Sequence, residues 1–127
     1  PTEAINWQPG EGMNSLAVLA AHTAGAERFW VGDVAMCEPI KRDRPGEFTA
    51  REFTTEQAIA RLQWSLEYVR GALARLSIVD LSALRVDPRD GREMTAGWAV
   101  LHALEHTAMH AGHAQLTRQL WEANATR

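Results

Sequence analysis

The stretch "TAGWAVLHALEHTAMHAGHAQLTRQLWE" (residues 95–122) is the longest part of this chain that keeps a helical pattern without a proline. Large apolar residues recur along it at helical spacing, beginning with Trp98 and Leu101. Thr95 stands just before the first of them, and threonine is a preferred N-cap residue. The pattern predicts one long helix over this range.

Two further segments carry the same period. The first runs from about Ser15 to Asp33, with Asn14 or Ser15 as its N-cap. The second runs from Thr54 to about Leu76 and begins with "TTEQ", which matches a capping box. Both have apolar stripes wide enough to pack against other helices.

The connections between these helices contain the residues that end regular structure. The first, "CEPIKRDRPGEF", holds two prolines and a glycine, and the second, "RVDPRDGRE", predicts a turn at Asp90–Gly91. No segment alternates as a strand does, so the sequence predicts an all-α fold, an antiparallel up-and-down bundle in one domain over residues 1–127. Three helices can enclose a core, and a fourth, from before Pro1 or from a partner chain, would enclose it more fully.

The composition is that of an ordinary folded protein, and it argues against two kinds of partner. A net charge of -3 with scattered basic residues predicts no nucleic-acid binding. No apolar run approaches the roughly 20 residues that cross a bilayer, so no membrane partner is expected. Cys37 is the only cysteine, which excludes an intramolecular disulfide and favours a reducing cytoplasm as the location.

Four of the five histidines lie within "HALEHTAMHAGH" (residues 102–113). On one helix their side chains fall within an arc of about 80°, beside apolar residues, so they face inward and need partners. They are either core histidines bonded to backbone or water, or part of a metal site. The second interpretation rests on His106 and His110, whose i, i+4 spacing lets two ring nitrogens reach one cation.

His22 is the candidate for a third metal ligand. It is the only other histidine, and it lies on a predicted helix with a buried stripe. Two histidines from one helix and one from another leave coordination positions open, as in catalytic zinc sites. Three histidines suit zinc, nickel, copper or iron, so the donor set does not select the metal.

Two other motifs are weaker. "HALEH" matches H-x-x-E-H, with Glu105 as a general base, but that class of zinc enzyme takes a further carboxylate ligand far downstream and has another fold. Cys37 has no histidine near it in the sequence to activate it as a nucleophile.

Two segments resemble the DinB-like superfamily of helical metalloenzymes, which is unrelated to the DNA polymerase of the same name. "INWQPGEGMNSLAVLAAHTAGAERFW" is similar to the start of its second helix, with tryptophan and proline in the loop and a histidine in mid-helix. "TAGWAVLHALEHTAMHAGHAQLTRQLW" looks like its last helix, with the H-x-x-x-H pair. Relatives include bacillithiol transferases and the metal-binding domain of mycothiol-dependent maleylpyruvate isomerase.

The resemblance implies a metal site at His22, His106 and His110, with zinc or nickel as the ion and water completing the coordination. It also implies a homodimer of four-helix bundles. Members have a first helix before the tryptophan-proline loop, so we expect that helix to be missing from the N-terminus of this chain. His113 lies where many members have glutamine, which leaves support of a ligand or contact with substrate as its role.

The expected function is that of a metal-dependent transferase that uses a low-molecular-weight thiol, or of a hydrolase, acting on a small-molecule substrate. The alternative is a non-catalytic metal-binding or structural homodimer. His102 and Glu105 are candidates to orient ligand rings, and a structural role at the edge of the bundle explains them equally well. The remaining candidates for substrate contact are Glu27, Arg28 and Arg118. A surface or inter-helix ion pair also explains each of them.

Overall fold

The computed structural model describes residues 1–126, and most of these are helical. In chain order, the elements are α1 (Thr2–Asn6), α2 (Leu16–Arg28) with a π-helical continuation (Phe29–Ala35), α3 (Arg44–Phe48), α4 (Thr55–Leu73), α5 (Ile78–Leu81), β1 (Leu84–Val86), β2 (Glu93–Thr95) and α6 (Ala96–Ala125). The long helices of this range are α2 with its continuation, α4 and α6. They correspond to the three predicted helices, with ends shifted by one to three residues.

The start of each long helix has the predicted N-cap. Ser15 Oγ and Thr95 Oγ1 each accept the amide N–H three residues further on, at 3.2 and 3.1 Å. At α4 both bonds of the capping box are present, because the Gln57 N–H donates to Thr54 Oγ1 and the Thr54 N–H donates to Gln57 Oε1. Each cap satisfies a donor that the first helical turn leaves free, and such a cap contributes about 1 kcal/mol to the free energy of unfolding.

The middle position in the packing belongs to α2. It contacts α4 on one side and α6 on the other, whereas α4 and α6 make few contacts with each other. The main core surrounds the π-helical continuation, where Phe29, Trp30, Val31 and Val34 are buried against alanines of α4 and α6. Among the described residues, the three long helices pack together, and the four-helix bundle stays a prediction.

The prediction of an all-α chain needs one correction, a small two-stranded sheet. β1 and β2 pair antiparallel, with Leu84 opposite Thr95. The predicted turn at Asp90–Gly91 lies in the loop between them, where Gly91 has φ 77°, a conformation that glycine adopts without strain. Strands of three residues are too short to show alternation in a sequence, and the one-turn helices α1, α3 and α5 are likewise too short to show a period.

None of the helices within residues 1–126 is both long enough and apolar enough to cross a bilayer.

Candidate metal centre

The three histidines predicted as ligands meet between α2 and α6. Nε2 of His106 lies 3.2 Å from Nε2 of His22 and 3.3 Å from Nε2 of His110. One ring nitrogen of each lies within 4.8 Å of the other two. In a tetrahedral site with metal–nitrogen bonds of about 2.0–2.1 Å, two ligand nitrogens lie about 3.3 Å apart. This histidine cluster (His22, His106 and His110) therefore has the spacing of three corners around one ion.

The contacts within the histidine cluster cannot all be separate two-centre hydrogen bonds. Nδ1 of His22 lies 3.0 Å from a carboxylate oxygen and so carries a proton, which leaves Nε2 of the neutral ring as an acceptor. Nε2 of His106 faces two nitrogens, yet it is either a donor or an acceptor. With neutral rings, an unprotonated Nε2 of His106 sets its lone pair against that of His22, and a protonated one has a single hydrogen to share between two neighbours. A shared cation removes this conflict, so the donor set fits a metal ion.

Burial keeps two of these rings neutral. It lowers the pKa of His106 from 6.5 to about 4, and the neighbouring His110 and His22 add to the effect. Burial also lowers the pKa of His110, with His22 and His113 contributing. At neutral pH both rings offer free lone pairs, and metal binding does not have to displace protons from them.

A carboxylate that the sequence analysis did not identify holds the His22 ring. Glu47 in α3 is only 3% exposed, and its Oε2 accepts a hydrogen bond from His22 Nδ1 at 3.0 Å. Arg42 donates to both carboxylate oxygens, at 2.7 Å each. Burial raises the pKa of Glu47, but the hydrogen bonds from Arg42 and His22 outweigh it, so the net pKa is lowered and the group is ionised. A carboxylate in this position directs the opposite nitrogen of the ring toward a metal.

Local sequence brings Glu47 to His22. Asp43 caps α3 by accepting the Gly46 N–H at 3.0 Å, which fixes the short helix that carries Glu47. Gly25 lies one turn after His22 on α2, and a Cβ at that position would overlap the Glu47 carboxylate. An aspartate shortly before a proline is a recognisable helix start, but nothing in the sequence pairs a glutamate with a histidine 25 positions away.

The other predicted site residues lie around the histidine cluster without joining it. His113 Nδ1 lies 3.3 Å from Nδ1 of His110, at the side of that ring that faces away from the cluster. The His102 ring centroid lies 6.3 Å from that of His106. Glu105 is exposed and reaches Nδ1 of His102 at 3.8 Å. His113 therefore contacts a candidate ligand, whereas Glu105 contacts only a neighbour of one.

Nδ1 of His106 is buried, and no acceptor or donor within residues 1–126 lies in hydrogen-bond range of it. Nothing at that end of the ring fixes the tautomer. The orientation of His106 therefore depends on what its Nε2 meets.

The candidate substrate contacts lie elsewhere. Arg118 pairs with Glu122 of the next turn at 2.8 Å. Glu27 accepts hydrogen bonds from one hydroxyl of α4 and one of α6. Arg28 stacks on two aromatic rings of α4. Arg118 and Glu27 thus have structural roles, in an ion pair and in bonds between helices, and Arg28 is held by cation–π contacts.

These features define a class: a helical protein in which two adjacent helices bring three histidines to one point, with a buried carboxylate behind one of them. A family model described as DinB superfamily matches residues 1–114, a range that includes the whole histidine cluster. The chain belongs to the DinB superfamily. Comparisons with curated proteins and with solved structures gave no match.

Proposed function

We propose that His22, His106 and His110 bind one divalent metal ion, zinc or nickel, and that the protein is a metal-dependent enzyme. The observation that carries the proposal is the spacing of the three Nε2 atoms, 3.2 and 3.3 Å from the central one. The low pKa of His106 supports it because that ring stays neutral at pH 7, and the buried Glu47 supports it because its hydrogen bond places the proton of His22 on Nδ1 and leaves Nε2 facing the cluster. Membership of the DinB superfamily supports it independently.

The proposed reaction is transfer of a low-molecular-weight thiol to a small electrophilic substrate, or hydrolysis of a small substrate. When bound, such an ion lowers the pKa of a thiol or water that reaches it and stabilises developing negative charge. Three protein ligands leave at least one coordination position for that molecule. Glu47 holds the proton on Nδ1 of His22, and Arg42 keeps Glu47 ionised, so Nε2 of His22 is directed toward the ion.

A paired assay tests this proposal. The purified chain, loaded with zinc or nickel, is tested for thiol transfer with cysteine-based thiols against a panel of electrophiles, and for hydrolysis of ester and amide substrates. We expect turnover that His106→Ala abolishes and that the matched His102→Ala variant retains, with helicity by circular dichroism unchanged in both. Metal-loaded protein that turns over no substrate in either panel, or a His106→Ala variant with full activity, would contradict the enzymatic proposal.

We also propose that the protein is a homodimer in which a second copy covers an apolar groove. The groove has a volume of about 370 Å³ and lies over α2, and its lining includes Leu19, Ala20, Leu62 and Ala111. Large apolar side chains elsewhere on α6 are exposed, among them Leu104 at 65% and Leu116 at 50%. The chain thus carries an apolar groove and exposed apolar side chains outside it, and a second copy in a symmetric dimer buries both.

The cytoplasmic location stays a prediction. Its support is Cys37, which lies exposed as a free thiol, a state that a reducing compartment maintains.

A further inference from the structure

A second cavity, of about 510 Å³, lies between the end of α2, the segment that leads into α3, and one face of α4. None of the three clustered histidines lines it. Its walls carry more positive than negative side chains. The positive ones are Arg28, Lys41, Arg42 and Arg61, and the carboxylates are Asp43 and Glu47.

Both carboxylates of this cavity are already engaged. Glu47 accepts two hydrogen bonds from Arg42 and one from His22. Asp43 accepts the backbone N–H that caps α3. In the described part of the chain, the ion pairs leave Arg28, Lys41 and Arg61 without an acidic partner. The cavity therefore has an excess of positive charge that no residue among 1–126 neutralises.

Arg28 is the most tightly held cation of this wall. Its guanidinium carbon lies 3.7 Å from the centre of the Trp64 ring and 4.2 Å from that of Tyr68, so the aromatic rings hold its plane. Its Nε is buried, and no acceptor within residues 1–126 reaches it. Burial lowers the pKa of Arg28, and the positive charge of Arg61 adds to the effect against the opposing influence of Tyr68. A guanidinium in this state gains from an oxyanion both a counter-charge and hydrogen-bond acceptors.

We propose that this cavity, the anion pocket (Arg28, Lys41, Arg61 and Trp64), binds a small molecule through a carboxylate or phosphate group. Two oxygens of such a group match the planar fork that an arginine side chain presents, and the stacked rings fix that fork before the ligand arrives. Lys41 and Arg61 are exposed at the wall and add charge where a ligand enters.

The anion pocket is separate from the histidine cluster. Glu47 lines the pocket and contacts Nδ1 of His22, whereas Nε2 on the opposite side of that ring faces the cluster. Anion binding at Arg28 therefore needs no metal ion, and the proposal stands or fails independently of the proposed enzymatic function.

Isothermal titration of the full chain with inorganic phosphate and, separately, with succinate tests the proposal. We expect saturable binding of at least one probe, about tenfold weaker in Arg61→Gln, because a charge-assisted hydrogen bond is worth about 1.5–3 kcal/mol. Arg28→Gln is expected to weaken binding at least as much. Arg70→Gln is the matched control, because Arg70 is exposed on the same helix as Arg61 and lies outside the pocket. The affinity of this variant for the probes is expected to change less than twofold.

The His106→Ala variant separates the pocket from a metal. Its affinity for the probes is expected to equal that of the unaltered chain, and a loss of binding there would place the anion on the metal and overturn the proposal. Absence of saturable binding of both probes up to about 10 mM would overturn it too, as would equal losses in Arg61→Gln and Arg70→Gln. Tighter binding of phosphate than of succinate identifies a phosphorylated ligand, and the reverse order identifies a carboxylate.

Discussion

At His106, burial and two neighbouring imidazoles lower the pKa from 6.5 to about 4, which gives the metal-free protein a defined response to acid. Between pH 6.5 and about pH 4, the unfolded chain binds a proton at His106 and the folded chain does not. The free energy of unfolding therefore has its full value above pH 6.5 and decreases as the pH falls toward 4. Chemical unfolding of metal-free protein at pH 7, 5.5 and 4.5 measures this slope.

The His106→Gln variant is the control for that slope, because glutamine fills much of the same space and does not titrate. The decrease in the free energy of unfolding between pH 7 and 4.5 is expected to be smaller in the variant. An identical decrease would show that other groups cause it.

Glu47 is expected to set the affinity of the site through His22. Glu47→Gln keeps an acceptor for the His22 N–H but removes the charge, and loss of such a carboxylate weakens metal binding about 10- to 100-fold. Zinc affinity measured by competition with a chelating dye tests this. The matched variant is Glu105→Gln, in an exposed side chain that pairs with His102 outside the histidine cluster. A drop in affinity in Glu105→Gln that equals the drop in Glu47→Gln would contradict the assignment of the supporting role to Glu47.

Residues of the site could be predicted where spacing along one helix brings them together. His106 and His110 are one turn apart on a long helix, and His22 is the only histidine outside that helix region. Arg42 lies in a loop and Glu47 in a one-turn helix, where no periodicity indicates which way a side chain points. Their contact with His22 depends on how α3 packs on α2, which a single sequence does not contain.

At the level of elements, the capping box of α4 gives the most direct test of how local sequence sets a helix boundary. Thr54→Ala removes the side chain that accepts the Gln57 N–H, and we expect the free energy of unfolding to fall by about 1 kcal/mol. Thr55→Ala changes the neighbouring exposed threonine, which begins the helix without capping it, and is expected to stay within about 0.5 kcal/mol. Urea unfolding followed by circular dichroism measures both. A larger loss in Thr55→Ala than in Thr54→Ala would contradict the boundary.

The elements that the sequence predicts are the long ones with capping residues at their starts. The hairpin from Leu84 to Thr95 is joined by a turn that the sequence does indicate, at Asp90–Gly91, but its strands are three residues each. The π-helical continuation from Phe29 to Ala35 also went unpredicted, because π-helical turns are rare and seven residues are too few to show a change of period. Short or locally distorted elements depend on tertiary packing.

For the whole molecule, the apolar groove leads to a prediction about assembly. The chain is expected to be a homodimer, and Leu62→Glu, which places a charge on a partly exposed apolar residue that lines the groove, is expected to shift it to the monomer. Ile78→Glu, at a residue that is 85% exposed and lies in α5, outside the groove, is the matched control. Sedimentation velocity at micromolar concentrations distinguishes the forms. A monomeric unaltered chain, or a dimer lost equally in both variants, would contradict the proposed interface.

The order of the helices in space is the part of the fold that the sequence could not supply. Apolar stripes indicate that the three long helices pack together, but any of them could take the middle position. The structure places α2 there, with alanines such as Ala17 and Ala24 fully buried. This arrangement brings His22 against α6 and, through α3, brings Glu47 behind it.

The central claim is that one metal ion is held by His22, His106 and His110. X-ray absorption spectroscopy of the chain loaded with one equivalent of zinc, and separately of nickel, tests it most directly. The account predicts three imidazole ligands at about 2.0–2.1 Å from zinc, with the imidazole scattering reduced in His106→Ala. Failure to retain a stoichiometric ion, or a spectrum that contains sulfur from Cys37 or fewer than three imidazoles, would contradict it.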